Sequence, residues 1–319
     1  MAINRSSIAK ELLPGLNAVF GVEYGEVDNE HESLYAIESS DRAFEEEVLF
    51  TGFGTAPVKS EGAAIQYDSA QESYVARYTN ETVALAFAIT EEAMEDNLYD
   101  TFAKLRARGL ARAMANTNQV KAADVFNNGF ISTYLGGDGV ALFSASHPTV
   151  GNGLQSNTVG ATDLSEAALE SAVITISKTK DDRGILTGTQ ADSLHIPPDL
   201  AFTADQILNS VLSTKLQTSA PYSGATGVTN VNNINSIRNQ GLVPNGFFVN
   251  RRFTDTNAWF VKTDCPNGTK MFVRAPLQTK MEPVSATPKS IATPVSRLSP
   301  VSEREDEEEK QGYLKETRK

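Results

Sequence analysis

Between Thr90 and Val125 apolar and charged positions recur with the period of a helix. Met94, Leu98, Phe102, Leu105 and Leu110 trace an apolar stripe, the spacing of one helical face. Thr90 is an acceptable N-cap, and Glu91, Glu92, Glu95 and Asp96 crowd the first turns, where the helix dipole favours anions. Lys104, Arg106, Arg108 and Arg112 follow toward the other end. Gly109 is a soft interruption, so the pattern predicts a long helix running past Ala115 toward Val125. Its first part alone, Thr90 to Asn116, spans about 40 Å.

The preceding segment changes period. Tyr74–Val83 partly alternates apolar with polar, as a half-exposed strand does, and runs into the apolar Val83–Ile89, which reads as a strand buried on both sides. Phe53–Lys59 can pair with it, leaving Ser60–Gln71 as the far end of a long two-stranded flap. A hairpin standing alone is marginal in water, so a flap of this length predicts support from a neighbouring copy.

Elsewhere the pattern is weaker. Residues 1–51 read as a polar, helix-prone arm: Ile8, Leu12, Leu16 and Val19 have helical spacing broken by Pro14-Gly15, and Tyr24–Phe50, with Glu45-Glu46-Glu47, reads as a solvated acidic stretch. Residues 127–162 are rich in Gly, Asn and Ser and read as loop. Asp163-Leu-Ser-Glu166 resembles a capping box opening a helix to about Lys178. Thr179–Gln190 is an expected exposed loop. Leu194–Asp199 is a strand stopped by its prolines, because proline donates no ladder hydrogen bond. Ala201–Leu212 is a third helix and Pro221–Ile234 a further loop; Gly246–Asn250 opens the last strands. Two of these flank Pro266-Asn-Gly268 and carry the single Trp (Trp259) and single Cys (Cys265). After Met281-Glu282 the texture turns to Pro, Ser and Thr, then to the acidic run Glu303–Glu309, a composition expected to lack order.

Composition narrows the function. With 319 residues the chain has room for roughly two domains. One cysteine excludes an internal disulfide framework and suits a reducing compartment. The start shows no secretory pattern, and the longest apolar run, Val83–Ile89, is far short of the ~20 residues that span a bilayer; the expectation is a soluble intracellular product. A net charge of −12 argues against a dedicated nucleic-acid binder but not against a container around nucleic acid. The segment 283–319 holds seven basic and seven acidic residues, so the body carries that charge alone.

Candidate chemistry is thin. Ser144, Ser146 and His147 put hydroxyls beside an imidazole, but adjacency in sequence is poor evidence for a catalytic pair, and Pro148 favours a turn. His31, His147, His195 and Cys265 lack metal-ligand spacing. Gly151-Asn-Gly153 and Gly136-Gly137-Asp-Gly139 do not fit a phosphate-binding template. No motif demands an enzyme, a cofactor or a metal; a hydrolase using Ser146 and His147 is the remaining catalytic alternative.

Several strings carry a family resemblance: Gly52–Gly62, Tyr67–Glu72, Ala84–Asn97, Phe143–Pro148, Ile196–Ala204 and Asp255–Leu277. Over about residues 7–282 the chain resembles the major capsid proteins of tailed bacteriophages, especially the Mu-type major head subunits. The resemblance implies an α+β chain with the Hong Kong 97 phage capsid fold: an N-terminal arm (1–51), an extension loop (52–89), a spine helix and peripheral domain (90–162), an axial domain (163–250), return strands (251–282) and an atypical tail (283–319). It implies a non-enzymatic head-shell subunit forming hexamers and pentamers around double-stranded DNA. Portal and scaffold proteins are the expected partners, and the site is the virion, after assembly in the host cytoplasm. A cellular nanocompartment of the same fold is the alternative. The expected intersubunit contacts are Leu12, Leu16 and Phe20 in the arm and Lys59, Tyr67, Tyr74, Arg77 and Tyr78 in the flap; Lys59 also raises the cross-linking seen in some relatives. One departure stands out. The family's aromatic, basic ending after Met281-Glu282 is replaced here, and a missing strand would leave a sheet edge bare unless another element fills it.

Overall fold

Tyr99–Asn127 is a single unbroken helix in the computed structural model, which describes residues 18–62, 64–89, 99–151, 153–213, 234–266, 268–275, 280–282, 289–292 and 296–299. The helix is about 43 Å long at 1.5 Å per residue. Its reading toward Val125 holds; its expected N-cap Thr90, first-turn acids, Met94 and Leu98 lie outside the described residues. The buried face differs from the expected stripe. Leu105 is 63% exposed, while Ala107, Leu110, Ala111, Met114, Ala115, Asn118, Gln119, Ala122, Ala123 and Phe126 are buried. Those positions recur at three and four residues, so the face is genuine, but it is lined mainly by alanines, which admit close packing.

The chain divides into two compact units. The first comprises 1–45, 78–125 and 269–300. In it, residues 18–35 are stitched to the long helix. Phe20 packs with Leu110 and Ala111. The Asn118 amide donates to the Tyr24 hydroxyl at 2.9 Å, the Gln119 amide to the Asp28 carbonyl at 3.1 Å, and the Tyr35 hydroxyl to the Ala122 carbonyl at 2.7 Å. Glu23, itself buried, pairs with Arg108 and Arg112. The stretch expected to be a solvated acidic face therefore supplies core residues, Leu34 and Tyr35 among them.

Two sheets complete this unit. One has the order β1-β11-β14-β4, from Ala36–Ser39, Lys270–Val273, Ser296–Ser299 and Glu81–Val83; the other has the order β12-β13-β5, from Lys280–Glu282, Lys289–Ala292 and Phe87–Ile89. β1 runs parallel to β11, with Ile37 opposite Met271; the other neighbours are antiparallel. Two expectations change. Val83–Ile89 is not one buried strand, because Ala84–Ala86 carry the chain from one sheet to the other and Leu85 is exposed. Residues 289–292 and 296–299, expected to lack order, are interior strands. Backbone pairing on both sides suits a segment with few large apolar residues, since ladder hydrogen bonds do not depend on side-chain identity. Residues 301–319 lie outside the described set.

Among the described residues the second unit comprises 46–77 and 126–268. Its centre is the sheet β10-β8-β9, from Phe260–Thr263, Ala191–Ile196 and Phe247–Val249. β8 is buried almost throughout and stops at Pro197-Pro198, as expected. Helices Glu166–Ser177 and Ala201–Asn209 contribute Leu169, Ala204, Ile207 and Leu208 to a core with Leu194, Ile196, Ile237 and Val243. The first of these helices is capped by Ser165, whose hydroxyl accepts from the Ala168 N–H, not by Asp163: the serine hydroxyl sits three residues before an orphan donor. A second nucleus is aromatic. Phe126 lies 5.2 Å from Phe260 edge-on, and Phe143 stacks on Phe260 at 4.9 Å.

β2 (Phe44–Phe50) and β3 (Glu72–Thr79) form the two-stranded ribbon. Asn80 N–H donates to the Ala43 carbonyl and Thr51 N–H to the Gln71 carbonyl, so the strands run antiparallel. The returning strand takes the Tyr74–Thr79 part of the expected Tyr74–Val83; the rest, Glu81–Val83, pairs in the first unit's sheet. The outgoing strand is 44–50, not 53–59: Pro57 lacks a donor, and Gly52 and Gly54 weaken strand pairing.

Candidate assembly surface

Past the ribbon, residues 52–71 form a loop tied at two places. At its neck the Thr51 hydroxyl donates to the Gln71 carbonyl and accepts the Gln71 N–H, at 2.9 and 2.8 Å. Farther out, the Asp68 carboxylate accepts the Gly54 N–H at 2.6 Å and both its oxygens face Arg183 Nη2, at 2.7 and 2.9 Å. These donors hold the Asp68 carboxyl below the usual carboxylate range, the Gly54 N–H most and then Arg183. The ribbon base meets Gly137, where an added Cβ would lie 2.9 Å from the Ala76 Cα. The glycine cluster 136–139 thus serves close backbone approach.

The expected contact residues fall in different settings. Leu12 and Leu16 lie outside the described residues. Phe20 is 5% exposed, its ring directed into its own subunit's core beside Tyr24. Lys59 is exposed, and Tyr67 is 94% exposed with Val58 at 99%. Tyr74 is half-buried; burial, then the charges of Asp138 and Asp182, raise the pKa of its hydroxyl. Arg77 pairs with Glu46 at 3.0 Å, and the Tyr78 ring sits 5.1 Å from that of Phe272. The flap residues are thus not one cluster: the base residues are engaged within the subunit, and the tip is bare.

Further apolar groups missed in the sequence are exposed in the second unit. Phe202 is 82% exposed on the helix Ala201–Asn209, and Val211, Leu212 and Ile234 lie bare near it in sequence or pairing. Phe130, Ile131, Tyr134 and Leu154 form another exposed set. The signal for Phe202 was available: on a helix whose Ala204, Ile207 and Leu208 face inward, position 202 points elsewhere.

The chemical candidates resolve into packing. Ser144 Oγ and Ser146 Oγ lie 3.2 Å apart, and His147 Nδ1 meets Asp138 Oδ2 at 2.6 Å. His147 Nε2, which would have to face a nucleophile, is buried with no hydrogen-bond partner among the described residues. His195 stacks on Phe248 in β9 with Ser193 Oγ 3.1 Å from Nε2; burial, helped by Lys262, lowers its pKa to about 4. Cys265 is exposed.

Comparison with known proteins supplies the identity. A family model described as "Phage capsid protein" matches residues 74–293, more than half of the chain. No curated protein matches. Among solved structures, the capsid of an empty GTA particle is 14% identical over 86% of each chain with a TM-score of 0.49. The bacteriophage JBD30 capsid is 11% identical over 69% of this chain and 89% of that one, with a TM-score of 0.48. The family match runs from the returning strand of the ribbon through the long helix and the second unit's core to β13, and the chain belongs to the phage capsid protein family, a major capsid shell protein.

Proposed function

We propose that many copies of this chain close into the icosahedral head of a tailed phage, as hexamers and pentamers around double-stranded DNA, with the Hong Kong 97 capsid architecture. In this reading 1–51 is the N-terminal arm and 52–89 the extension loop; 90–162 holds the spine helix and peripheral domain, 163–250 the axial domain and 251–282 the return strands. The tail strands Lys289–Ala292 and Ser296–Ser299 belong with the peripheral sheets. The function is distributed over interfaces and is not enzymatic. Portal and scaffold proteins are the expected partners, and assembly takes place in the host cytoplasm.

The observation that carries the reading is the flap tip, which leaves Val58 and Tyr67 almost wholly in water at the end of a ribbon. Large apolar side chains held out in this way mark a contact surface, and in a shell the available surface is a second copy. Repeated modest contacts then sum to a stable closed particle. The charge of −12 fits a wall held off DNA by counterions, without sequence readout. The family match favours a phage head over a nanocompartment.

Electron microscopy of the expressed chain, with the nucleic-acid content of purified particles, tests this. Closed shells of uniform size are expected, filled with DNA when made during infection. Particles that always carry protein cargo and never a genome would move the assignment to a nanocompartment.

A further inference from the structure

Three segments far apart in sequence converge on the Asp68 carboxylate. Ser69 N–H donates from beside it, Gly54 N–H from across the flap, and the Arg183 guanidinium from the loop 179–187. Arg183 is itself presented on a tight turn. The Asp181 carboxylate accepts the N–H groups of Arg183 and Ile185, both at 2.9 Å, and Lys180 pairs with Leu186. Gly54 is tightly approached: a Cβ there would lie 3.2 Å from Asp68 Oδ2 and 3.4 Å from Arg183 Nη2, so those side chains would have to give by a few tenths of an ångström. Gly52 runs beside the same turn, its added Cβ 3.6 Å from Asp181 Oδ2.

A lone exposed ion pair does little for stability. This one differs in sharing its carboxylate with two backbone donors, the Gly54 and Ser69 N–H groups, and charge-assisted hydrogen bonds are stronger than neutral ones. Its position is the second reason for interest. The neck at Thr51 and Gln71 closes the loop but leaves its tip free to swing, and a swinging tip must be ordered each time it docks. The node at Asp68 lies just inside the exposed tip, adjacent to Tyr67.

We propose that Gly54, Asp68 and Arg183 form an intrachain latch that fixes the direction of the flap tip in the unassembled subunit, so that residues 55–67 meet the next copy already aimed. The latch itself is a property of the free subunit; only its consequence for assembly rests on the shell reading. Asp68 and Arg183 are positioning residues, and the apolar tip makes the contact.

The test compares the full-length chain with D68N, R183Q and R183K. In unassembled subunits, hydrogen exchange at the Gly54 amide and tryptic cleavage after Lys59 are expected to quicken on the order of tenfold in D68N and R183Q. R183K, which keeps the charge but not the planar guanidinium that places Nη2 between the two Asp68 oxygens, is expected between these and the parent. Thermal midpoints stay with the parent, which separates the latch from folding. Particle formation followed by light scattering is expected to slow in the same order. Unchanged exchange and cleavage in D68N would overturn the latch. Faster exchange with an unchanged assembly rate would overturn its aiming role. A parent that forms no particles would sink the shell reading while the exchange arm still decides the latch.

Discussion

His195 is the residue whose environment most limits its chemistry. Its ring is buried in β8, stacked on Phe248 and close to Ser193, so the protonated form is disfavoured in the folded chain. With a folded pKa of about 4 against an ordinary 6.5, the unfolded chain binds more protons between those values. Stability contributed by the neutral ring is therefore complete above pH 6.5 and is lost as pH falls toward 4. The loss amounts to up to about 3 kcal/mol. Urea unfolding at a series of pH values checks this: His195→Phe should flatten the slope over that window, and an unaltered slope would remove His195 as its source. Its strand was legible in the sequence because prolines end it. What sequence did not disclose was the alanine-rich face of the long helix. Leu105 looked like core and is exposed, whereas Ala111 and Gln119 looked neutral and are buried. Periodicity scored by hydrophobicity favours large side chains, and a face built for close approach uses small ones.

At the scale of elements, the tail strands change the account most. β13 lies between β12 and β5, and β14 between β11 and β4. Removing residues 283–319 would leave four strands with bare edges, a condition that promotes aggregation. A chain ending at Glu282 is expected to aggregate or to lose the cooperative melting of its first unit, while a chain ending at Pro300 keeps it; circular dichroism melts and sedimentation distinguish them. Equal melting of the two would show that the strands contribute nothing. The composition of this tail pointed away from structure because few of its side chains can drive burial. Its pairing is made by the backbone, which composition does not report. The ribbon shows the converse. Its return strand was legible from alternation in Tyr74–Tyr78, but its outgoing partner was misplaced because the acidic Glu45–Glu47 looked solvated. Most of β2 is exposed on both faces, so consecutive acids keep their water while the backbone pairs.

For the molecule as a whole, the two units have ordinary cores, and the anomaly is the surface they leave open. The bare tip at Val58 and Tyr67 and the exposed Phe202 are features that a solitary chain gains nothing from. The general role was legible because long strings resemble a family; an interface between copies leaves no periodic mark in one sequence, so the flap and arm contacts rest on that resemblance alone. Analytical ultracentrifugation of the purified full-length chain beside a Val58→Asp, Tyr67→Ser variant tests the account most directly. The parent should sediment as large closed particles and the variant as small oligomers or monomers with an unchanged melting curve. A parent that stays monomeric under every assembly condition, or a variant that assembles as well as the parent, would contradict it.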